Sequence, residues 1–170
     1  DRGLKKKQNT EFNFINSGFN LRPLDLTAAI GYNQLKRLKK TINIRTNNRN
    51  KIVNSILKSP KWKDQFKFLE PEKKLKPSWF GIPILLNKKF LKNKKEFLNK
   101  LNRNGIETRP IISGNFLNQP SVDLYKLNKS KEEFPVAQEI ENRGFFIGLH
   151  TKNIEKKELI KLTNNLLSIN

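Results

Sequence analysis

The feature that most constrains the fold of this chain is a long helical pattern that begins near residue 25. Small and apolar residues recur along it at steps of four and three, and they are Leu24, Ala28, Gly31, Leu35, Leu38 and Ile42. This spacing places them on one stripe of an α-helix. Asp25 suits the N-cap position, because its carboxylate can accept hydrogen bonds from backbone N–H groups two or three residues on. The pattern predicts a helix over 25–58.

A helix of this length restricts the architecture. The apolar pattern continues weakly to Leu57, with Arg45 and Arg49 on a polar face, and Pro60 is expected to end the helix. Such a helix is long for a compact domain, so we expect a spine that joins two domains or lies along a dimer interface. The polar segment 41–50 leaves a bend in the helix as the alternative.

A short polar finger, residues 18–22, precedes the helix. Gly18 permits backbone angles that a side chain would forbid. Asn20 and Arg22 alternate, so in an extended segment their side chains point the same way. An amide and a guanidinium held beside a rigid helix suit a bound phosphate. From spacing alone, a surface loop that binds nothing is the alternative.

The same residues carry a resemblance to a known family. The string GFNLRPLDLTAAIGYNQLKRL resembles the G-[YF]-N-x-[RK]-x-x-D-x-x-A-A-x-G-x-x-Q-L segment of the DegT/DnrJ/EryC1/StrS family. Its members are pyridoxal-phosphate-dependent aminotransferases, and related dehydratases, that act on nucleotide-linked keto-sugars. The resemblance implies pyridoxal 5'-phosphate as cofactor and a homodimer with a shared active site. In that dimer Asn20, with Arg22 as a second contact, reaches the cofactor phosphate of the partner subunit.

Strand and helix patterns alternate through the rest of the chain. Strands are predicted near 66–69, 78–86, 106–112 and 144–149, and helices over 90–104, 132–142 and 154–167. The apolar run 78–86 is expected to form a central strand, with one irregular edge at Pro83. Leu91 is among the residues expected to face inward from the helix over 90–104, and Gly105 is expected to cap that helix. The fold class is therefore α/β (α+β), with helices packed against a small sheet.

This layout resembles the small C-terminal domain of fold-type I pyridoxal-phosphate enzymes, preceded by the long interdomain helix. The resemblance implies three parts. Residues 1–24 are the end of a large domain with the cofactor-phosphate finger, residues 25–58 are the interdomain helix, and residues 59–170 are the small C-terminal domain. The chain begins Asp-Arg-Gly and contains no methionine, so we expect a fragment of a longer protein.

The polar loop 114–120, with the strand before it, is the candidate substrate site. Arg109 suits a phosphate or carboxylate, or else a surface ion pair with Glu107. Asn115 and Gln119 suit sugar hydroxyls, or else shape the loop through side-chain to backbone bonds. The string GIETRPIISGNFLNQP resembles the family's G-I-x-T-R-x-x-x-x-G-N-x-x-x-Q-P stretch. It is closest to the 3-dehydratases of nucleotide-linked 4-keto-6-deoxyhexoses, and it lacks the histidine usual in the aminotransferase branch.

His150 is the only histidine and there is no cysteine, so neither a metal site nor a catalytic triad is expected. His150 either faces the sugar site or lies on the surface ahead of a helix. Arg143 likewise either contacts a phosphate or forms a salt bridge.

No catalytic residue is assigned in this chain. Transamination through pyridoxal phosphate needs a Schiff-base lysine and an acid at the pyridine nitrogen, and the resemblance places both upstream of the finger. The chain is expected to be inactive by itself. The first functional prediction is an aminotransferase that acts on a nucleotide-linked 4-keto-6-deoxyhexose for surface polysaccharide or lipopolysaccharide biosynthesis, with glutamate as amino donor. A 3-dehydratase of the same family, which acts on a nucleotide-linked keto-sugar, is the alternative.

The formal charge of +20 raises a rival from another class, a basic nucleic-acid-binding module. Lysines are scattered along the chain rather than gathered into one arm, and asparagine and isoleucine are abundant too. This distribution favours solvated helix faces, so nucleic acid is not the expected partner. No run approaches 18 consecutive apolar residues and no signal peptide is visible, so we expect a cytoplasmic protein without a membrane partner.

Overall fold

A computed structural model describes residues 24–126 and 130–169 of the chain. Five α-helices lie within the described residues: α1 Asp25–Leu57, α2 Lys94–Arg103, α3 Pro120–Leu124, α4 Pro135–Arg143 and α5 Lys156–Leu166. The described strands are β1 Phe66–Phe68, β2 Gly81–Leu86, β3 Thr108–Arg109 and β4 Gly144–Gly148. The chain divides into two compact units. We call residues 24–109 and 145–169 the sheet unit, and residues 110–126 and 130–144 the loop unit.

The helix α1 runs unbroken through 41–50, so the bend that the sequence left open is not present. Leu24 occupies the N-cap position and makes no side-chain cap bond, and Asp25 is the first helical residue. The prediction that Asp25 caps the helix is therefore wrong by one position. Its carboxylate instead lies in the first turn, where it interacts favourably with the positive end of the helix dipole. The helix ends at Leu57, shortly before Pro60.

The two halves of α1 have different surroundings. Its last turns bury Ile52, Val53 and Ile56 in the core of the sheet unit. The predicted stripe at the other end is exposed within the described chain, with Leu35 at 64% and Leu38 at 46% exposure. Burial of an apolar face is what stabilises most protein helices. The C-terminal half therefore holds α1 to the core of the sheet unit.

The sheet has the order β1-β2-β4-β3, so the predicted strand in 78–86 does lie in the centre. Pairing of β1 with β2 is antiparallel from Phe66 opposite Leu86 to Phe68 opposite Ile84. Pro83 lies just beyond this paired stretch, where its missing N–H breaks no bond to β1. In β2 the residues Ile82, Ile84 and Leu86 are buried in strict alternation. This is the period-2 pattern of a strand with one core face.

The predicted helix over 90–104 begins as a 3₁₀ turn over Lys88–Asn93 and becomes the α-helix α2 only at Lys94. Leu91 is 38% exposed, so its assignment to the inward face was wrong. The prediction for Gly105 is confirmed. It has φ of +78°, and its N–H donates to the Asn102 carbonyl while the Ile106 N–H donates to the Leu101 carbonyl. These two bonds form a Schellman motif, which needs the left-handed backbone of a glycine.

The predicted strand 106–112 is much shorter in the structure. Only Thr108 and Arg109 pair with β4, in antiparallel register opposite Ile147 and Phe146. Ile106 is already used in the end of α2, and Pro110 has no N–H to continue the ladder. Propensity for a strand was therefore overridden at both ends by local hydrogen bonding.

The loop unit contains two elements that the sequence analysis missed, a 3₁₀ turn over Phe116–Asn118 and the short helix α3. Pro120 opens α3 at a position where proline is favoured, because the first N–H groups of a helix have no partner in the helix. The predicted helix over 132–142 starts as a 3₁₀ turn, and α4 begins at Pro135 for the same reason. None of the helices in the described ranges has the length and apolar character needed to cross a membrane.

Candidate substrate site

A cleft in the sheet unit brings together two of the residues predicted to bind substrate. Arg109, at the end of β3, and His150, just after β4, both line this cleft, which has a volume of about 870 Å³. Asn48 of α1 and the aromatic residues Phe80 and Phe146 line it as well. Residues from a helix, a strand end and a loop thus meet around one opening. Charged side chains line the cleft beside the apolar residues, among them Glu107, Lys152, Glu158 and Lys161. A concave site that combines apolar surface with polar groups can hold a small polar molecule.

Arg109 forms the ion pair with Glu107 that the sequence left open. Its Nε and Nη2 lie 2.8 and 2.7 Å from Glu107 Oε1. Both side chains are exposed, at 47% and 74%, and a pair of this kind contributes only about 0–1 kcal/mol. The pair is therefore weak enough for a phosphate or carboxylate ligand to displace Glu107 from the guanidinium.

His150 has one ring nitrogen engaged. Its Nδ1 accepts a hydrogen bond from the Lys152 backbone N–H at 3.0 Å. Since an acceptor nitrogen carries no proton, the neutral imidazole bears its proton on Nε2. His150 is exposed, and Nε2 is the nitrogen left to donate a hydrogen bond to a ligand in the cleft.

Asn48 is the residue of this cleft that sequence analysis missed. It is only 2% exposed, and its Nδ2 donates to the carbonyls of His150 and Lys152 at 3.2 and 2.7 Å. Its Oδ1 accepts from the Ile154 N–H at 3.0 Å. One side chain of α1 thus holds the loop that carries His150. The available signal was its position four residues before Ile52, on the face of the helix that proves to be buried.

Arg45 and Arg49 were assigned to a polar face of α1, and this prediction was wrong. Arg49 is only 7% exposed. It donates to the Leu69 carbonyl at 2.9 Å and to Glu70 Oε1 at 2.5 Å, and its guanidinium lies 4.7 Å from the centre of the Trp79 ring. Arg45 lies 5.8 Å from the Phe80 ring in the same way. A planar guanidinium can stack and donate at once, so these arginines pack rather than face solvent.

Replacing Arg49 with lysine is expected to lower the free energy of unfolding by about 1–2 kcal/mol, because an ammonium cannot keep the ring stacking and both hydrogen bonds. Urea unfolding measures the change. The same substitution at Arg37, which is exposed on α1, is the matched control and should have no measurable effect. Equal stability of the two variants would show that the packing of Arg49 contributes nothing beyond its charge.

The other predicted substrate residues lie in the loop unit. Asn115 and Gln119 are 2% and 1% exposed. Asn115 Oδ1 accepts from the Leu117 N–H at 3.1 Å, and its Nδ2 donates to Gln138 Oε1 at 3.2 Å. The loop-shaping alternative is therefore present for Asn115, and the substrate contact of both residues stays a prediction.

Further predictions concern Arg143, the two residues of the finger and a metal site. Arg143 pairs with Glu139 at 2.8 Å, which is the salt-bridge alternative. Asn20 and Arg22 lie outside the residues that the structure describes. Within the described ranges there is no group of three or more histidine, cysteine or acidic side chains that could hold a metal ion.

The fold is the one expected for a particular class of enzyme. A small sheet packed with helices and led by a long helix is what we expected of the small C-terminal domain of a fold-type I pyridoxal-phosphate enzyme. The chain belongs to the DegT/DnrJ/EryC1/StrS aminotransferase family, whose model matches residues 1–166. The resemblance seen in the sequence is thereby confirmed.

Two curated relatives are similar to most of the chain. The GDP-4-keto-6-deoxy-D-mannose 3-dehydratase of Yersinia pseudotuberculosis is 34% identical over 156 residues, which cover 92% of this chain and 38% of that protein. The dehydratase of the same name from Escherichia coli O55:H7 is 32% identical over 151 residues, which cover 87% of this chain and 37% of that protein.

The same likeness holds in three dimensions. The E. coli GDP-4-keto-6-deoxy-D-mannose-3-dehydratase, solved with bound hydrated PLP, matches with a TM-score of 0.68 and 29% identity. The match covers 91% of this chain and 38% of that one. This chain therefore spans well under half the length of the relatives that it matches.

Proposed function

We propose that this chain is the C-terminal part of a pyridoxal-phosphate-dependent enzyme that acts on a nucleotide-linked 4-keto-6-deoxyhexose. The observation that carries the proposal is the 34% identity to a GDP-4-keto-6-deoxy-D-mannose 3-dehydratase along 92% of the chain. The motif around Arg109, Asn115 and Gln119 points to the same branch of the family. Replacement of the 3-hydroxyl of the sugar by hydrogen is therefore the reaction that we place first, with the oxygen leaving as water and glutamate supplying the two electrons through the cofactor.

Amino transfer to the keto group is the second candidate, and it was the first prediction from the sequence. The description of the family as aminotransferases supports it. Glutamate is the proposed amino donor in that case. Either reaction would supply a modified sugar for surface polysaccharide or lipopolysaccharide, and we propose that it takes place in the cytoplasm.

Three segments of the chain would belong to different domains of the larger enzyme. Residues 1–24 end the large domain, residues 25–58 connect the domains and residues 59–170 form the small domain. Asn20 and Arg22 would hold the cofactor phosphate in the partner subunit of a homodimer, since an amide and a guanidinium can donate hydrogen bonds to a phosphate. The bound cofactor supplies an electron sink for the sugar chemistry.

Residues of each unit, taken separately, are proposed to contact the substrate. Arg109 would bind a phosphate of the nucleotide by giving up its exposed pair with Glu107. His150 would donate from Nε2 to a sugar or phosphate oxygen. Asn115 and Gln119 belong to the loop that would border the sugar.

In the full-length enzyme, Asn20→Ala is expected to weaken binding of pyridoxal phosphate about tenfold or more, because a hydrogen bond to a charged phosphate is lost. The absorbance band of the bound cofactor measures the loss. Asn16→Ala, which changes an asparagine just outside the finger, is the control and should leave the band intact. A full-length protein that never takes up the cofactor would overturn the catalytic proposal, and salt-sensitive binding to RNA or DNA would then favour the basic module.

The product distinguishes the two reactions. Mass spectrometry of the sugar after incubation with the full-length enzyme, cofactor and glutamate separates the outcomes. Loss of the 3-hydroxyl with the ketone retained supports dehydration, and nitrogen in place of the ketone oxygen supports amino transfer. A nucleotide-linked 4-keto-6-deoxyhexose that is returned unchanged contradicts both.

A further inference from the structure

The loop that leads into the 3₁₀ turn at Phe116–Asn118 has a backbone that needs support from outside. Ser113 and Gly114 follow each other with φ of +51° and +55°. Both values lie in the left-handed region, which is unfavourable for a residue with a side chain such as Ser113. Strained backbone of this kind persists only where the surrounding structure over-determines it.

The support comes from α4. A Cβ atom added to Gly114 would lie 2.5 Å from the Cβ of Glu141, so the helix packs directly on the loop backbone. Glycine is needed at this position for two independent reasons, its φ and the missing space. The contact places the polar ends of two α4 side chains beside the loop.

Those side chains are Gln138 and Glu141, which lie one turn apart on the same face of α4. Glu141 Oε2 accepts from the Asn115 backbone N–H at 2.9 Å and from Asn118 Nδ2 at 2.6 Å. Gln138 Oε1 accepts from Asn118 Nδ2 at 2.9 Å and from Asn115 Nδ2 at 3.2 Å. We call Gln138 and Glu141 the α4 bracket.

We infer that the α4 bracket positions the loop 113–119 for the nucleotide-linked sugar, with Glu141 as the principal positioning residue. The inference rests on the proposed function, in which this loop borders the substrate. Asn115 contributes by fixing the shape of the loop. Its side-chain Oδ1 accepts from the Leu117 N–H, and its Nδ2 donates to Gln138 Oε1. Glu141 carries more of the effect than Gln138, since hydrogen bonds to an ionised acceptor are the stronger ones.

The test is Glu141→Ala in the full-length enzyme loaded with cofactor. Removing the carboxylate takes away the acceptor that holds the Asn115 N–H. Hydrogen exchange of that amide should accelerate about tenfold or more. The KM for the nucleotide-linked keto-sugar should rise about tenfold while kcat stays within about threefold, because the lost contact affects binding more than the chemical step. The cofactor band should be unchanged.

Two variants of α4 serve as controls. Glu141→Gln keeps an acceptor oxygen at the same place, so KM should return to within about threefold of the original. Glu139→Ala removes an acid from the same helix that forms an ion pair with Arg143, and it should change neither KM nor the exchange at Asn115. If Glu141→Ala does not fold, Gln138→Ala decides, with the same direction and a smaller effect.

Several results would overturn the inference. They are unchanged exchange at Asn115 in Glu141→Ala, an equal rise of KM in Glu139→Ala, or a loss confined to kcat. If the original enzyme itself does not act on the keto-sugar, the proposed function fails separately. Unchanged hydrogen exchange at Asn115 would then still show that the α4 bracket does not position the loop. Faster exchange in Glu141→Ala but not in Glu139→Ala would support the contact between the α4 bracket and the loop.

Discussion

Replacing Asn48 with alanine is expected to lower the free energy of unfolding by about 2–4 kcal/mol, because three hydrogen bonds to the backbone of residues 150–154 are lost at a buried position. The two carbonyls and one N–H that Asn48 serves lie 2.7 to 3.2 Å from its amide. Alanine has the better helix propensity, but this returns only about 0.7 kcal/mol. Loss of the buried bonds therefore outweighs the gain in α1. Urea unfolding and the melting temperature measure the result.

The neighbouring Asn47 provides a matched control for that prediction. It lies on the same helix and is exposed, so Asn47→Ala changes the helix propensity without removing a buried bond. It should be neutral or stabilise the protein by up to about 0.7 kcal/mol. A similar effect of the two substitutions would mean that water replaces the bonds of Asn48 and that the loop carrying His150 does not depend on α1.

The second large effect is expected at Phe145 of β4, where substitution by alanine should cost about 3–5 kcal/mol. The side chain is completely buried. Its ring meets those of Phe66 and Phe97 edge to face, with ring centres 6.2 and 6.1 Å apart. Truncation would remove these contacts and leave a cavity between the sheet and α2, which a close-packed core cannot fully refill. Unfolding by urea gives the difference directly.

Phe146, the next residue, is the control for Phe145. It lies on the opposite face of β4, is only partly buried, and meets Phe80 at 6.1 Å between ring centres. Phe146→Ala should cost about 1–2 kcal/mol, because less apolar surface leaves a buried environment. If the two variants were equally destabilised, the assignment of the two faces of the strand would be wrong.

The expectations that rested on periodicity agree best with the structure. The helix predicted over 25–58 is present as Asp25–Leu57, and the strand in 78–86 is a central strand over Gly81–Leu86. Both patterns are local properties of the chain, because a helix and a strand repeat at fixed intervals of 3.6 and 2 residues. Gly105 is similar, since a helix end requires a backbone that glycine adopts readily.

The missed roles of Arg49 and Asn48 have a common cause in contacts between distant residues. Arg49 reads as a solvent-exposed charge until Glu70 and Trp79 are placed around it. Asn48 looks like one of many polar residues in 41–50 until the carbonyls of His150 and Lys152 are found beside it. A polar side chain becomes buried only when its hydrogen bonds are satisfied by partners elsewhere in the chain. The sequence does not display those partners.

Sequence by itself determined the family, the long helix and the alternation of strands and helices, because these follow from motifs and local periodicity. It also brought Arg109 and His150 forward as candidates. Only the tertiary structure decided that these two residues share a cleft, that Asn48 holds the loop carrying His150, and that the α4 bracket supports the loop around Asn115. Each of those facts depends on hydrogen bonds or packing between segments far apart in the chain. Such pairings are selected by burial and geometry in the folded state, and no local pattern encodes them.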